Sequence, residues 1–201
     1  SIVALPNGEF GVVFSSGVNR VNPSAGYIWV LNAKDGSLIK KFKLDTQGDL
    51  GEPLVTARYN EFVTANDLFV GDTLGNLWHL DISKPNVSEW RVHYNNKPMM
   101  VAMTMNNERQ PITAPLEAAY SPDGKMTIVF GTGSYYKYSD RDLNAAKNSI
   151  RQSVYGIVPK KSEDQYIAYT EKEIKEGITQ FEVNKELESD GFVGRTLKKR
   201  L

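Results

Sequence analysis

The sequence predicts an all-β fold and, within that class, a β-propeller. One phrase recurs three times along the chain: an apolar run, a polar turn containing glycine, and an aromatic-rich run. Its clearest copy is Leu68–Ser83, and aligning the copies places Phe14, Val70 and Phe130 at equivalent positions about 60 residues apart. A strand–turn–strand unit repeated at such an interval predicts propeller blades, whereas a sandwich has many strands without this repeat.

Each copy contains three or four short segments that we predict to be antiparallel strands. They are rich in Val, Ile, Phe, Tyr, Trp and Leu and are bounded by Gly, Pro, Asn or Asp, which favours strands over helices. Asp35-Gly36 and Pro122-Asp123-Gly124 supply hairpin turns. In chain order the segments are Ser1–Glu9, Gly11–Gly17, Tyr27–Asn32 and Ser37–Leu44, then Glu52–Asn60, Leu68–Gly71, Leu77–Ile82 and Glu89–Asn95, then Ala114–Gly124, Thr127–Tyr136 and Val154–Val158.

The number of blades implies an incomplete ring. Four antiparallel strands form a blade, and about four to eight blades close a propeller. We therefore expect a piece of a longer protein, with a partner chain or diverged blades near the C-terminus as the alternatives. We assign residues 1–159 to the propeller blades and residues 160–201 to a charged, partly ordered tail. In the tail we predict a short helix that begins at Glu171 and ends at Gly177, and an edge strand at Ile178–Val183.

Composition excludes several classes of protein. Lys plus Arg number 24, as do Asp plus Glu, so the formal net charge of +0 predicts no nucleic-acid partner. The absence of cysteine excludes disulfides, thiolate metal sites and a cysteine nucleophile. No apolar run approaches the roughly 20 residues that span a bilayer. We expect no membrane span.

A methionine-rich segment joins the second and third copies. Asn96–Pro111 carries four of the five methionines, which are Met99, Met100, Met103 and Met105. Methionine side chains suit an adaptable binding surface, but they also fill irregular gaps in a core. We favour the second interpretation, a strand whose methionines fill gaps between blades.

A long insertion interrupts the third copy at Ser134–Arg151. Long loops in compact domains are frequently functional, and propeller rim loops are common contact surfaces. Because exposed tyrosines are frequent interface anchors, we predict a partner-binding loop that uses Tyr135, Tyr136 and Tyr138. The same loop holds the candidate metal ligands Asp140, Asp142 and Asn144, whose alternate spacing matches the start of an EF-hand loop. Its sixth and twelfth positions are Ala145 and Arg151, so we favour a polar loop without metal.

The sequence contains no catalytic motif. No HExxH, GxSxG, GxGxxG or phosphate-loop pattern is present, and we predict no catalytic residues. His79 and His93 lie within strand-like segments, so we predict strand-face positions for both. Asp72 and Asp81 flank an aromatic strand, where we predict turn and strand-end hydrogen bonds.

Four phrases in a fixed order carry a resemblance to a known family. They are GYIWVLNAKDGSLIKKF, LFVGDTLGNLWHLDIS, QPITAPLEAAYSPDGKMTIVFGTGSYY and QSVYGIV. In this order they resemble the C-terminal β-propeller of PilY/PilC-type proteins, the type IV pilus biogenesis factors and tip-associated adhesins of bacteria. The resemblance covers roughly Ser1–Pro159 and is most specific in GDxxGNLWxxD and in FGTGxYY followed by QSxYGI.

The resemblance implies a noncatalytic role in pilus biogenesis and adhesion at the bacterial cell surface or pilus, after export through the periplasm. Expected partners are minor pilins, pilus tip proteins and a host-surface ligand. It also implies a calcium loop, DxNxDxxxD, which corresponds here to Arg58–Asn66. Arg58 and Phe62 replace oxygen ligands, and calcium needs about six to eight of them. We therefore expect the family's calcium site to be lost and no cofactor to bind.

A second resemblance leaves another class of protein as an alternative. YIWVLNAKDGSLIKKF also resembles a repeat of quinoprotein-type propellers, which implies either an assembly scaffold or a quinone-dependent dehydrogenase. The dehydrogenase would need a complete ring and a pocket rich in carboxylates and tryptophan. We expect packing to account for Trp29, Trp78 and Trp90.

Overall fold

The computed structural model describes residues 1–18, 25–57, 63–134, 136 and 150–177 with their side chains, and the backbone of four strands between residues 181 and 199. The described chain is built from antiparallel sheets with few helical residues. It confirms the all-β class that the sequence predicts.

The first sheet is a four-stranded blade. Its strands are β1 (Ile2–Ala4), β2 (Phe10–Ser15), β3 (Gly26–Asn32) and β4 (Leu38–Leu44), paired in chain order. Side chains of a strand alternate between faces, so Ile28 and Val30 of β3 share one face, where both are fully buried. The predicted segments Tyr27–Asn32 and Ser37–Leu44 are confirmed.

The second sheet has four strands in chain order and a fifth strand, which pairs with the same strand as the fourth does. The strands are β5 (Leu54–Ala57), β6 (Ala65–Gly71), β7 (Asn76–Asp81), β8 (Arg91–Val92) and β9 (Met100–Val101). Here β8 pairs with the C-terminal end of β7, at Leu80 and Asp81, whereas β9 pairs with its N-terminal end, at Asn76 and Leu77. The outer edge of this blade is therefore split between two short strands.

The predicted strand Glu89–Asn95 is wrong over most of its length. Only Arg91–Val92 pairs with β7, and a 3₁₀ turn covers Val87–Glu89. The chain then enters a left-handed turn at His93–Asn96, in which Tyr94, Asn95 and Asn96 have φ of 57°, 55° and 59°. Left-handed residues cannot continue a β-ladder, so the strand ends there.

The third sheet contains three strands, β10 (Glu117–Tyr120), β11 (Met126–Gly131) and β12 (Val154–Ile157). A hairpin follows, formed by β13 (Lys160–Ser162) and β14 (Gln165–Ile167), and then the helix Glu171–Gly177. Beyond it the described backbone forms two pairs, β15 (Phe181–Asn184) with β18 (Thr196–Lys199), and β16 (Glu188–Ser189) with β17 (Phe192–Val193).

The second sheet lies between two hydrophobic clusters and is buried on both faces. Leu68 and Val70 pack against first-sheet residues, whereas Phe69 packs in a second cluster with residues of the third sheet. Met99, Met100 and Met103 belong to that second cluster and are at most 3% exposed. The gap-filling interpretation is confirmed for these three methionines, whereas Met105 is exposed.

The residues after the blades partly match the sequence prediction. The helix has the predicted bounds, Glu171–Gly177, and the part of the predicted edge strand that is described overlaps β15. Thr170 caps the helix, because its hydroxyl accepts from the Glu173 amide while the Glu173 carboxylate accepts from the Thr170 amide. Ile174 is buried in the second cluster, so this part of the charged segment packs against the core. The division at residue 159 stays a prediction.

Candidate functional site

Most residues of the predicted partner-binding loop lie outside the described residues. These are Tyr135 and Tyr138, together with the candidate metal ligands Asp140, Asp142 and Asn144. Tyr136 is described: it is 46% exposed, and its hydroxyl donates to the Thr113 carbonyl oxygen over 3.3 Å. The binding role of this loop stays a prediction.

The segment that corresponds to the family's calcium loop is described only from Val63 onward. Val63 is half-exposed and has a φ of 37°, a left-handed conformation that a β-branched residue rarely adopts. The side-chain amide of Asn66 donates to the Asp67 carboxylate. Arg58 and Phe62 lie outside the described residues, so the loss of calcium binding is not tested by the geometry.

The motif GDTLGNLW forms the turn between β6 and β7, and its aspartate is the centre of a buried hydrogen-bond network. Asp72 is 0% exposed. Its Oδ1 accepts from the backbone amides of Leu74 and Asn76, each over 2.9 Å. Its Oδ2 accepts from Thr46 Oγ1 at 2.7 Å, from the Asn76 side-chain amide at 2.8 Å and from Trp78 Nε1 at 3.1 Å. The predicted turn role of Asp72 is confirmed.

The glycines of the same motif allow the next segment to pack closely on the turn. A Cβ added to Gly71 would lie 2.3 Å from a methyl carbon of Ile112. Gly75 has a φ of +80°, and a Cβ there would lie 2.8 Å from the Gln110 carbonyl oxygen. The motif therefore connects the second sheet with the segment that follows the first sheet and with the segment that precedes the third. The strand-end role of Asp81 is also confirmed, since its Oδ1 accepts from the amide and hydroxyl of Ser83.

A polar group, here called the histidine cluster, consists of the buried residues Asp67, His79 and His93 and the half-buried Tyr94 and Tyr166. Asp67 on β6 and His79 on β7 are diagonal neighbours on one face of the sheet. The His79 Nε2 lies 2.8 Å from Asp67 Oδ1, and its Nδ1 lies 3.1 Å from the Tyr94 hydroxyl. Because an ionised carboxylate only accepts, Nε2 carries a proton in this arrangement.

The second histidine packs on the first. The rings of His79 and His93 have centroids 4.3 Å apart, and Tyr166 lies edge-on 4.7 Å from both. His79 also stacks on Phe69, with centroids 4.3 Å apart. His93 is 9% exposed, and its Nε2 is buried without a hydrogen-bond partner.

Burial is the largest cause of the shifted pKa values of His93 and Tyr94. It lowers the pKa of His93 from 6.5 to about 4, with a further contribution from the neighbouring His79. Burial also raises the pKa of Tyr94 above its usual 10. At neutral pH the cluster therefore presents a neutral His93 imidazole and an uncharged Tyr94 phenol. An open cleft of about 500 Å³ lies beside it, lined by Tyr94, Asn95 and hairpin residues that include Glu163 and Tyr166.

Sequence reasoning located the two histidines but not their proximity. The predicted strand-face position is confirmed for His79, whereas it is wrong for His93, which begins the left-handed turn. The available signal was Asn95-Asn96, since asparagine tolerates left-handed backbone better than other side chains. Asp67 gave no signal, because its role depends on the pairing of β6 with β7.

Comparison with known proteins identifies the class of this fold. A family model described as the PilY1 beta-propeller domain matches residues 1–195. The chain therefore belongs to the PilY1 β-propeller family, as the four phrases of the sequence indicate.

Curated relatives include a type IV pilus biogenesis factor PilY1 from Pseudomonas aeruginosa strain UCBPP-PA14, 30% identical over 181 residues, and a PilY1 homolog from Xylella fastidiosa, 31% identical over 175 residues. Each match covers 78% of this chain but only 15% and 11% of those proteins. The homologues are thus pilus biogenesis factors, and the chain spans a small part of their length.

A solved structure supports the fold. The crystal structure of the Pseudomonas aeruginosa PilY1 C-terminal domain has a TM-score of 0.68 to this chain at 24% identity, covering 79% of this chain and 36% of that domain. None of the described helices has the length and apolar character needed to traverse a bilayer.

Proposed function

We propose that this chain is a noncatalytic part of a type IV pilus biogenesis factor and acts by binding through its rim loops. Family membership is the observation that carries the proposal. The partners would be minor pilins or other pilus tip proteins, with a host-surface ligand in adhesion. The protein would act at the bacterial cell surface or pilus after export through the periplasm.

The hydrogen bonds at the base of the insertion support a binding role for this loop. The ladder between β11 and β12 extends to Gly131 and Val154, and Thr132 continues it by donating its amide to the Ser153 carbonyl oxygen over 2.9 Å. Gln110 links the segment before β10 to the same place, since its side-chain amide donates to the Arg151 carbonyl oxygen at 2.6 Å. A loop held at a rigid base loses less conformational freedom on binding a partner.

The tryptophans support a noncatalytic reading over the quinone-dependent dehydrogenase. Trp78 and Trp90 are buried, and their indole nitrogens donate to Asp72 and to the Lys84 carbonyl oxygen. Trp29 stacks on Phe14, with ring centroids 5.5 Å apart. All three rings are thus used in packing. Cofactor absorbance or dye reduction after reconstitution with a quinone would contradict the proposal.

We also propose that the segment Arg58–Asn66 does not bind calcium. An arginine cation and a phenylalanine occupy positions where the family places oxygen ligands. Calorimetry with CaCl₂ should show no saturable binding, and one high-affinity site per chain would refute this proposal.

The test of the binding role is to shorten the insertion. Replacing residues 134–150 by a two-residue turn should preserve the fold, because a Cβ placed on Gly133 already comes within 3.7 Å of the Gln152 side chain across the base of the loop. We expect an unchanged unfolding midpoint and a loss of pilus display or adhesion. The matched control shortens residues 18–25 between β2 and β3. Normal pili and adhesion in the first variant would reject the proposal, and a collapse of its fold would make the loop structural instead.

A further inference from the structure

The histidine cluster brings together three side chains that could hold a metal ion. One ring nitrogen of each histidine and one carboxylate oxygen of Asp67 all lie within 4.8 Å of one another. Ligand atoms placed tetrahedrally about 2.0–2.1 Å from an ion are separated by about 3.4 Å. The largest separation therefore exceeds the tetrahedral value by at most about 1.4 Å, so a small movement of these side chains would give a coordinating arrangement.

The chemistry of these atoms selects the kind of ion. Calcium prefers about six to eight oxygen ligands, and magnesium prefers oxygen ligands and retains water. Two imidazoles with one carboxylate suit first-row transition metals, among which Zn²⁺ accepts three protein ligands and a fourth from water or a neighbouring group. We propose that Asp67, His79 and His93 bind a divalent transition-metal ion, with Zn²⁺ as the ion that fits best.

A second and independent observation is the unpaired nitrogen of His93. The residue is 9% exposed, and its Nε2 has no hydrogen-bond partner. Buried polar atoms in folded proteins nearly always have a partner, so each exception needs an explanation. A metal ion in the cluster would supply the missing partner.

The surroundings of His79 match those of a metal-bound histidine. Ligating imidazoles usually make a hydrogen bond through their other ring nitrogen, which fixes the orientation of the ring. The Tyr94 hydroxyl lies 3.1 Å from His79 Nδ1, and Phe69 stacks on the ring. When Nε2 binds the ion, the ring proton moves to Nδ1 and donates to Tyr94. The number of protons on the imidazole is unchanged, and its tautomer is reversed.

The three ligands come from three different parts of the second sheet. Asp67 lies on β6, His79 on β7, and His93 at the start of the left-handed turn that separates β8 from β9. An ion bound to all three would hold this turn against the strands at the place where the outer edge of the blade is split. Its role would be structural and distinct from the rim-loop binding proposed above.

The composition of the chain makes a direct test possible. The chain has two histidines and no cysteine, so every imidazole signal belongs to His79 or His93. ZnCl₂ would be titrated into the purified, chelator-treated 201-residue chain, followed by calorimetry and by ¹⁵N NMR of the imidazoles. We expect one ion per chain, shifts of both rings and a tautomer reversal at His79, whereas CaCl₂ should shift neither ring.

Variants separate the proposed ligands from their surroundings. His93→Gln and Asp67→Asn should each weaken Zn²⁺ binding more than about 100-fold, because outer partners of a ligand are already worth about 10–100-fold. Tyr94→Phe should weaken it about 10-fold, and Asp45→Asn, at an exposed carboxylate, should leave it unchanged. If a variant does not fold, the imidazole spectra of the unaltered chain decide the question. No saturable Zn²⁺ binding, or binding that leaves either ring unshifted, would overturn the proposal.

Discussion

Replacing Asp72 by alanine should be among the most destabilising single substitutions in this chain. Its carboxylate accepts from three side-chain donors, which belong to Thr46, Asn76 and Trp78, and from two backbone amides. Each buried donor left without an acceptor costs about 1–3 kcal/mol. The three side-chain donors alone predict a loss of about 3–9 kcal/mol, a large part of the roughly 5–15 kcal/mol that stabilises a typical domain.

A double-mutant cycle distinguishes the loss of the hydrogen bonds to Asp72 from other effects of replacing this residue. Thr46→Val removes one donor with little change of shape and should cost about 1 kcal/mol in the unaltered protein. In the Asp72→Ala background the same substitution should cost less, because the Thr46 hydroxyl has already lost its acceptor and only the bond that it accepts from the Gly48 amide remains to be removed. Asp45→Ala is the matched control: its ion pair with Lys97 is exposed and is worth at most about 1 kcal/mol.

The assay is urea unfolding followed by tryptophan fluorescence, with the free energy of unfolding extrapolated to water. A free energy of unfolding for Asp72→Ala within about 1 kcal/mol of the unaltered protein would refute a stabilising role of the network. Equal costs of Thr46→Val in both backgrounds would refute it as well, since the hydroxyl would then act through a different contact.

Three further predictions concern a turn and a helix. Gly75→Ala should cost at least about 2 kcal/mol more than Gly36→Ala in urea unfolding, because both glycines have positive φ but only Gly75 would bring a Cβ within 2.8 Å of a carbonyl oxygen. Thr170→Ala removes the cap of the helix Glu171–Gly177 and should destabilise the helix by about 1 kcal/mol. The substitution should therefore accelerate amide exchange in that helix more than in β7. The bond from Lys160 and those from Thr170 lower the pKa of Glu173 from 4.5 to about 2, so its contribution is complete above pH 4.5 and is lost as pH falls toward 2. The protection of the helix amides, measured relative to their intrinsic exchange rates at each pH, should fall over that range, and Glu173→Gln should abolish this fall; an unchanged protection profile in that variant would contradict the assignment.

The sequence predicted those elements whose signals are local. Tyr27–Asn32 and Ser37–Leu44 match β3 and β4 to within one residue, because alternating apolar residues and the Asp35-Gly36 turn specify them without help from the rest of the chain. The two-sided burial of β6 agrees with its apolar run Leu68–Gly71, whereas β7 is buried although it contains Asn76 and His79.

The sequence did not predict features that depend on distant contacts. The segment EWRVHYN begins with strand propensity, yet it pairs only at Arg91–Val92, and Met99 and Met100 beyond the turn are buried in the core. The proximity of His93 to His79 depends on the register of β8 on β7, in which Val92 lies opposite Leu80. Propensity over a short window carries no information about such pairing.

The split outer edge of the second sheet has a consequence for how the chain avoids aggregation. An exposed outer strand presents unpaired backbone groups that can bind the strand of another molecule. In the first sheet β4 carries Lys40, Lys41 and Lys43, whose charges oppose such pairing. In the second sheet the left-handed turn interrupts the edge, so no long strand is available as a template. Among the described residues, β12 has neither lysines nor an interruption, and its Val154 is 80% exposed. Of the outer strands in the described part of the chain, β12 is therefore the one most open to an added strand.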